Sequence, residues 1–320
     1  MSPHVGSRVV LGLPGTTTPG APTWPGRTST RESKRVRHTA PRGPLAPPSK
    51  KETSLITHTI GIIGSGLVGG AVARLAVDAG YRVVLSNSRG PESLSERVQE
   101  LGPLARAGSV DEAIAAGDII ALSVPIASFE ALPADKLAGK VVIDQTNYYP
   151  EFWRNAELDT GELTSSELVQ RHLENSLVVK GLHNLDWNHM YSNARPKGDP
   201  GRTTMAIAGD AGAKTVVTRF LEEVGYDVVD AGSLADSWRI EPNTPLYFWP
   251  YAPTIPDGLA ADEEKSFYLE QPVPPVSPEA ARKMIGSAER PSPIGGTMAA
   301  MPPAHVAIFM DRASANTVQK

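Results

Sequence analysis

The sequence contains no cysteine among its 320 residues. This absence excludes disulfides, catalytic thiolates, zinc–cysteine sites and iron–sulfur clusters, so any redox chemistry must use a bound cofactor. Long apolar runs are missing too. A membrane helix needs roughly 18 consecutive apolar residues and a signal-peptide core about 7 to 15, and the early apolar patch at 9–13 is shorter than either. We therefore expect a cytoplasmic protein without a membrane partner.

The signatures of several other protein classes are also absent. The chain has no HExxH sequence, no Ser/His/Asp order typical of hydrolases and no internal repeat. The segment "HNLDWNH" at 183–189 holds two histidines and an aspartate, but their spacing matches no familiar ligand set, so we predict no metal site. Hydrophobic residues make up 40% of the chain, which is enough for a globular core.

Charge is unevenly distributed along the chain. Residues 1–55 contain nine Lys and Arg against two acids, with nine Pro and six Gly, whereas the remainder is acidic. Because this composition buries too little apolar surface to offset the entropy of ordering, we predict a disordered basic extension. The extension lacks the interleaved aromatics and the amphipathic pattern that nucleic-acid binding or organellar targeting would favour, so we expect no nucleic-acid partner. Two explanations of this segment remain open: it is a solvated extension of the protein, or it results from a translation start placed too far upstream.

A glycine-rich segment begins the periodic part of the chain. The β-branched run "THTIGII" (57–63) is typical of a buried parallel strand and leads into Gly64, Gly66 and Gly69, after which small apolar residues recur at helical spacing up to Gly80. A second run, "YRVVLS", completes a strand–GxGxxG–helix–strand unit, which predicts a dinucleotide site; an ordinary glycine-rich turn is the alternative. The three glycines then allow a tight turn, close approach of a pyrophosphate, and close packing of helix on strand. The residues assigned to the dinucleotide here are Gly64, Ser65, Gly66, Leu67, Val68 and Gly69.

The end of the second strand indicates which dinucleotide binds. NAD binders usually place Asp or Glu there for the ribose hydroxyls, but this chain reads Ser86, Asn87, Ser88 and Arg89, with no acid before Glu92. Hydroxyls, an amide and a guanidinium suit a 2'-phosphate, which arginine can bind through two hydrogen bonds. We therefore predict NADP(H), with a solvated loop arginine as the alternative reading of Arg89.

Strands and helices continue to alternate beyond this point, which predicts an α/β fold with a Rossmann-type, doubly wound and mostly parallel sheet. Ser109 with Glu112, and Thr164 with Glu167, form capping boxes that predict helix starts. The strand at 118–125 should bring its last residues to the centre of the cofactor, and Asn147 ends the strand at 140–147 close to ribose or amide. The residues assigned to the cofactor in these two strands are Ser123, Val124, Pro125 and Asn147.

Several motifs together resemble the NADPH:coenzyme F420 oxidoreductase family, over about 57–245: "IGIIGSGLVGGAVA", "LSNSRGP", "LSVP", "LHNL", "AIAGD" and "DAGSLADSWRIEP". The resemblance implies that Ser88 and Arg89 hold the 2'-phosphate. It implies that coenzyme F420 is a co-substrate whose deazaflavin stacks on the nicotinamide. It also implies that His183 and Leu185 lie near both reacting rings, and we take these two as the candidate catalytic residues.

The chain departs from the family in its first 55 residues, in an insertion at 186–202 and in an extension after about 255. Transfer of a hydride between two rings mainly requires positioning, whereas a small imine or carbonyl also needs a proton donor. His183, Asp186, His189 and Tyr191 are candidates for that donor. A reductase of a small imine or carbonyl is therefore the first alternative, and a non-catalytic NADPH sensor is the second.

These patterns divide the chain into three parts. We predict the basic extension at 1–55, an NADP-binding Rossmann-type domain at 57–232, and a C-terminal substrate-side region at 233–320 with a small helical extension. The expected partners are a small-molecule cofactor and substrate, with a homodimer as the candidate assembly.

Overall fold

The computed structural model describes residues 58–318, with side chains as far as Asp311, so the predicted basic extension lies outside the described residues. The described part of the chain forms one compact unit. Its strands are β1 (Thr59–Ile63), β2 (Arg82–Ser86), β3 (Ala105–Ala107), β4 (Ile119–Leu122), β5 (Val141–Asp144), β6 (Leu177–Lys180), β7 (Thr204–Gly209) and β8 (Asp227–Asp230).

Helices and 3₁₀ turns connect these strands. The helices are α1 (Leu67–Asp78), α2 (Ser95–Leu101), α3 (Val110–Ala116), α4 (Ala134–Leu137), α5 (Ala156–Thr160), α6 (Ser165–His172), α7 (Trp187–Met190), α8 (Ala211–Glu223), α9 (Ala261–Glu270), α10 (Pro278–Gly286) and α11 (Pro303–Val318). The 3₁₀ turns are Pro91–Leu94, Ile126–Ala131, Leu234–Ile240, Trp249–Tyr251 and Met298–Ala300. Within 58–318, no helix combines the length and apolar character that crossing a bilayer requires.

The eight strands form one sheet in the order β3-β2-β1-β4-β5-β6-β7-β8. Strands β1 to β6 are parallel, β7 runs antiparallel to β6, and β8 is parallel to β7. The chain leaves β1 toward β2 and β3 and returns to β4 on the other side of β1. In doubly wound sheets, ligands bind beyond the carboxyl ends of the strands at such a reversal. The predicted fold class is confirmed.

The two faces of the sheet each carry a hydrophobic layer. Along β4, Ile119 and Ala121 pack in the larger core cluster, while Ile120 and Leu122 pack in the smaller one on the opposite face. Successive side chains of a strand point to opposite faces, so a strand covered on both sides must be apolar throughout. This requirement explains the unbroken apolar runs in the sequence.

The predicted helix starts are confirmed. Both capping boxes form: the hydroxyls of Ser109 and Thr164 accept from the N–H groups of Glu112 and Glu167, and those carboxylates accept in return. Gly80 follows α1 with φ +90°, a conformation that glycine adopts at low cost. The strands predicted at 118–125 and 140–147 are too long, because β4 ends at Leu122 and β5 ends at Asp144.

The C-terminal segment packs onto the same core as the sheet. Ile240, Leu246, Tyr251 and Ile285 belong to the larger core cluster, together with the strands and α1. A third, smaller cluster joins Tyr247 and Phe248 with residues of α9 and α11, which form the predicted helical extension. The functional division at residue 233 stays a prediction.

Candidate functional site

The glycine loop between β1 and α1 is shaped by backbone contacts. Gly64 has φ +102°, and a Cβ there would lie 2.2 Å from the carbonyl oxygen of Ser123. A Cβ at Gly69 would lie 1.9 Å from the carbonyl oxygen of Gly64, so helix and loop touch at this point. A Cβ at Gly66 would meet nothing within 4 Å. The loop therefore leaves open space above Gly66, beside the N-terminus of α1.

The loop after β2 is held by one side chain. The Oδ1 atom of Asn87 accepts from the backbone N–H of Arg89 at 2.9 Å, and its Nδ2 donates to the hydroxyls of Ser65 at 3.1 Å and Ser93 at 2.9 Å. Asn87 thus links the glycine loop to the loop that carries Arg89. The amide organises this region through hydrogen bonds within the protein.

One of the four residues expected to bind the 2'-phosphate at the end of β2 is not accessible to a ligand. Ser86 is fully buried and its hydroxyl donates to the carbonyl oxygen of Ile62 at 2.7 Å, so the expectation that this hydroxyl binds an anion is wrong. Ser88 and Arg89 are exposed. The guanidinium of Arg89 makes no ion pair with any other residue that the structure describes, which leaves its charge available to a ligand.

Arg97, on α2, is a further cation that the sequence patterns did not single out. Its guanidinium donates to the carbonyl oxygens of Ser65 and Gly66, the latter at 3.1 Å. It lies so close to α1 that a Cβ at Gly70 would be 2.7 Å from its Nη1 atom. This contact depends on how α2 packs across the glycine loop, and no local pattern around Arg97 indicates it.

These loops enclose a cavity of about 590 Å³ at the carboxyl ends of β1, β2 and β4. Its volume lies within the range usual for cofactor sites. The predicted residues that line it are Gly64, Ser65, Gly66, Asn87, Ser88, Arg89, Ser123, Val124 and Pro125. Among the unpredicted lining residues are Ser93, Glu96, Arg97, Glu100 and Ser128.

The other predicted site residues lie outside the lining of this cavity. Leu67 lines a separate cavity with Gly70 and Arg74, and Val68 packs against the larger core cluster, so their contribution to a ligand would come from backbone N–H groups at the start of α1. Leu185 is 5% exposed and packs in the larger core cluster. Asn147 and His183 lie together beyond the ends of β5 and β6.

His183 is 5% exposed and lies three residues past the end of β6. Its Nε2 atom lies 2.8 Å from the carbonyl oxygen of Ile240, and because a carbonyl only accepts, Nε2 carries the proton. Burial, reinforced by the positive charge of Lys180, lowers the pKa of His183 well below its usual range. His183 is therefore neutral, and its buried Nδ1, which has no hydrogen-bond partner in the structure, is an acceptor.

Two asparagines beside His183 show the same arrangement. The Nδ2 of Asn147 donates to the carbonyl oxygen of His183 at 2.9 Å, and the Nδ2 of Asn184 donates to that of Leu246 at 3.0 Å. The Oδ1 atoms of both are buried and have no partner in the structure. Buried polar atoms are normally hydrogen-bonded, so a group of bare acceptors suggests that a ligand supplies donors here.

Backbone strain is concentrated around the same residues. Among the residues that the structure describes, Leu182 (φ +56°), Asn243 (φ +67°) and Phe248 (φ +60°) are the non-glycine residues with left-handed backbone. Leu182 precedes His183, and the N–H of Phe248 donates to the carbonyl oxygen of Asn184 at 2.9 Å. Such conformations cost about 1 to 3 kcal/mol each and are found most often at functional sites.

A buried ion pair lies next to this region, at the ends of β5 and β6. Lys180 and Asp144 are both 0% exposed, with Nζ 3.4 Å from Oδ2. The Lys180 ammonium also donates to the Ser165 hydroxyl at 2.9 Å and to the carbonyl oxygen of Thr146. All three of its N–H groups are thereby used. Asp144, the last residue of β5, also accepts from the Ser166 hydroxyl at 2.5 Å and is enclosed in this network.

Three residues considered as proton donors have other partners. Asp186 is 2% exposed and accepts from His189 Nδ1 at 3.0 Å and from the Tyr268 hydroxyl at 2.7 Å. The Nε2 of His189 faces the carbonyl oxygen of Tyr268 at 2.8 Å. The hydroxyl of Tyr191 donates to Asp78 on α1 at 2.6 Å. These contacts attach the insertion to α9 and α1.

The family resemblance inferred from the sequence is confirmed for the N-terminal part of the stretch that carries it. Residues 59–148 match the model of the family described as NADP oxidoreductase, coenzyme F420-dependent. This range holds the glycine loop, Arg89 and the cavity. The Escherichia coli K12 protein YjhV is 46% identical over 56 residues, which are 17% of this chain and 41% of that protein. The match thus spans less than half of the curated relative.

Two solved structures are similar over more of the chain. The Sinorhizobium meliloti protein SMa0349 is 29% identical with a TM-score of 0.51, over 60% of this chain and 93% of that one. A provisionally named F420-dependent NADP-reductase from Arthrobacter sp. FB24 is 25% identical with a TM-score of 0.48, over 56% of this chain and 86% of that one.

Proposed function

We propose that this protein is an NADPH-dependent oxidoreductase that transfers a hydride between NADPH and coenzyme F420 or a similar ring acceptor. The observation that carries the proposal is the juxtaposition of two sites at one edge of the sheet. An open cavity lies over the glycine loop, and a group of buried, unpartnered acceptors lies around His183.

The residues present fit a dinucleotide. The space above Gly66, which a Cβ would occupy, lets the backbone approach a pyrophosphate beside the N-terminus of α1. Ser65 lies in the same loop, and Ser123, Val124 and Pro125 line the adjacent wall at the end of β4. These groups would hold the central part of the cofactor.

Arg89 and Ser88 would bind the 2'-phosphate of NADP(H). Both are exposed at the cavity rim, and Asn87 fixes the loop that presents them. A guanidinium that pairs with no carboxylate among residues 58–311 attracts a phosphate dianion, whereas the ribose hydroxyls of NAD offer no charge to it. This arrangement supports a preference for NADP(H).

The acceptors around His183 would receive the nicotinamide end. A carboxamide group has two N–H donors, and the Oδ1 of Asn147 and the Nδ1 of His183 can accept them. NADPH supplies the hydride, from C4 of its nicotinamide ring. The protein would hold that ring against the acceptor and exclude water, which is most of what transfer between two rings requires.

Anaerobic mixing of the purified protein with NADPH and F420 tests the proposal. We expect the deazaflavin absorbance to bleach at a rate proportional to protein concentration. Oxidation of NADPH by small imines or carbonyls, with none by F420, would replace the ring acceptor by the first alternative. Tight NADPH binding by calorimetry, without oxidation by any acceptor in the panel, would identify the NADPH sensor and overturn the proposal.

A further inference from the structure

Two tyrosine hydroxyls meet beside His183. The hydroxyl oxygens of Tyr149, in the segment after β5, and Tyr247, in the C-terminal segment, lie 2.9 Å apart. The ring of Tyr247 lies 6.4 Å from that of His183, centroid to centroid. Since one hydroxyl donates to the other, the pair uses one O–H proton internally and keeps a second for another acceptor.

Both hydroxyls keep their protons at neutral pH. Burial raises the pKa of Tyr149 to about 12, against a weaker opposing contribution from its hydrogen bond with Tyr247. Burial also raises the pKa of Tyr247, and the hydrogen bond with Tyr149 and the nearby carboxylates of Glu241 and Asp186 add to this effect. Such a phenol gives up its proton only to a strongly basic atom, such as the oxygen or nitrogen left when a C=O or C=N bond takes a hydride.

Other groups around His183 are poorly suited to give a proton. His183 is neutral, and its single N–H donates to Ile240. The three N–H groups of Lys180 have partners, and the hydroxyl of Thr146 is a much weaker acid than a phenol. The tyrosine pair is therefore the strongest neutral acid with a proton to spare at this position.

We infer that Tyr247 is the proton donor of this site and that Tyr149 relays protons to it from solvent. The inference rests on the proposed function. It extends the substrate class from ring acceptors to any acceptor that takes a proton next to the carbon that receives the hydride, including small imines and carbonyls.

The hydride of NADPH forms a C–H bond at the electrophilic carbon, and the π electrons of the C=N or C=O bond move to the nitrogen or oxygen. That atom takes the proton of Tyr247, whose oxygen takes the proton of Tyr149. Tyr149 is the less buried member of the pair, so it is the one that would regain a proton from solvent. NADPH is oxidised to NADP⁺ and the acceptor is reduced by two electrons.

The test uses the full chain and three variants: Tyr247→Phe, Tyr149→Phe and the control Tyr251→Phe. Tyr251 is 0% exposed, lies four residues after Tyr247, and donates its hydroxyl to the carbonyl oxygen of Thr204. Turnover is measured with NADPH and a panel of F420, cyclic imines and ketones, at several concentrations of buffer acid. NADPH affinity by calorimetry and alkaline titration of the tyrosines by ultraviolet absorbance are the readouts that need no turnover.

With the acceptor that the wild type turns over best, we expect Tyr247→Phe to lower the rate by about 10²- to 10⁴-fold. Its residual rate should rise with buffer acid, while NADPH affinity stays within twofold and Tyr251→Phe behaves like the wild type. Tyr149→Phe should lose less activity.

Three outcomes would overturn the inference. One is an active wild type whose rate Tyr247→Phe leaves unchanged. Another is a phenolate that appears near neutral pH in the wild type and is lost in Tyr247→Phe. A wild type that oxidises NADPH with no member of the panel overturns the proposed function as well, so the two failures can be told apart.

Discussion

The two halves of the candidate site are built differently. The half under the glycine loop is an open cavity of about 590 Å³, bordered by loops that directly follow β1, β2 and β4. The half around His183 is buried, with its acceptor atoms bare and its backbone strained at Leu182 and Phe248. The first half uses residues 63–133, in the first strands and loops of the sheet, whereas the second joins residues as far apart as Tyr149 and Tyr247, which are 98 positions apart.

This difference indicates that the two halves have separate functions. A phosphate group is bound by backbone N–H groups and an arginine, which any strand–glycine loop–helix unit can present. Orienting two reactive groups requires side chains fixed on several sides, and that costs backbone strain and unpaired polar atoms until a ligand arrives. We expect the first half to control affinity and the second to control rate, and four predictions test this separation.

The largest effect should be a loss of stability in Lys180→Met, a substitution next to the half of the site around His183. The substitution leaves the Asp144 carboxylate buried without its cation, and breaking a buried pair in this way costs about 3 to 5 kcal/mol of unfolding free energy. Urea denaturation measures it.

Lys136→Met is the matched control, because Lys136 pairs with Asp111 at 2.6 Å with both side chains exposed, and it should change stability little. An equally small loss in Lys180→Met would show that the buried pair is dispensable. The double variant Lys180→Met/Asp144→Asn should recover part of the stability.

In the first half, Gly66→Val should reduce NADPH affinity by about 100-fold or more, because its side chain fills the space where a pyrophosphate meets the backbone. The protein should remain folded, since a Cβ at Gly66 meets nothing within 4 Å. Calorimetry and thermal melting measure the two effects.

Gly69→Val provides the contrast, because its Cβ would lie 1.9 Å from the Gly64 carbonyl oxygen and should destabilise the fold itself. Unchanged NADPH binding by Gly66→Val would refute the assignment of the glycine loop.

Arg89→Ala should lower NADPH affinity by roughly 10- to 150-fold, the equivalent of about 1.5 to 3 kcal/mol for a charge-assisted hydrogen bond. Binding of NADH should barely change, because NADH lacks the 2'-phosphate. The ratio of the two dissociation constants is the measurement.

Arg97→Ala is the comparison variant. The guanidinium of Arg97 donates to the carbonyl oxygens of Ser65 and Gly66, so its loss should weaken the binding of both NADPH and NADH. If Arg89→Ala weakened the binding of NADPH and NADH equally, Arg89 would only maintain the shape of its loop.

In the second half, His183→Ala should lower turnover by about 10- to 100-fold, since the ring positions its neighbours without transferring a proton. NADPH affinity should fall by only about 2- to 10-fold, the effect of losing one hydrogen bond to the carboxamide. For the same reason added imidazole should not restore activity. His183→Gln, which retains both a donor and an acceptor, should recover part of the rate. Rescue by imidazole would instead identify His183 as an acid and contradict its neutral, Nε2-protonated state.

Local patterns were sufficient for much of the first half. The glycine spacing, the capping box at Ser109 and the absence of an acid before Glu92 each act within one turn or one loop, so neighbouring residues determine them. Two residues of this half could not be assigned from local patterns, because their contacts depend on tertiary packing. Ser86 was expected to bind an anion but is enclosed by β1, and Arg97 reaches the glycine loop only because α2 packs across it.

The sequence by itself determined the order of strands and helices, the glycine loop and the arginine that follows β2. Only the tertiary structure decided which groups meet around His183. The neutral state of that ring depends on burial and on Lys180, and the Tyr149–Tyr247 contact joins residues 98 positions apart. Burial, and contact between distant segments, arise when the sheet is covered and the C-terminal segment packs on it, so no local pattern of residues can specify them.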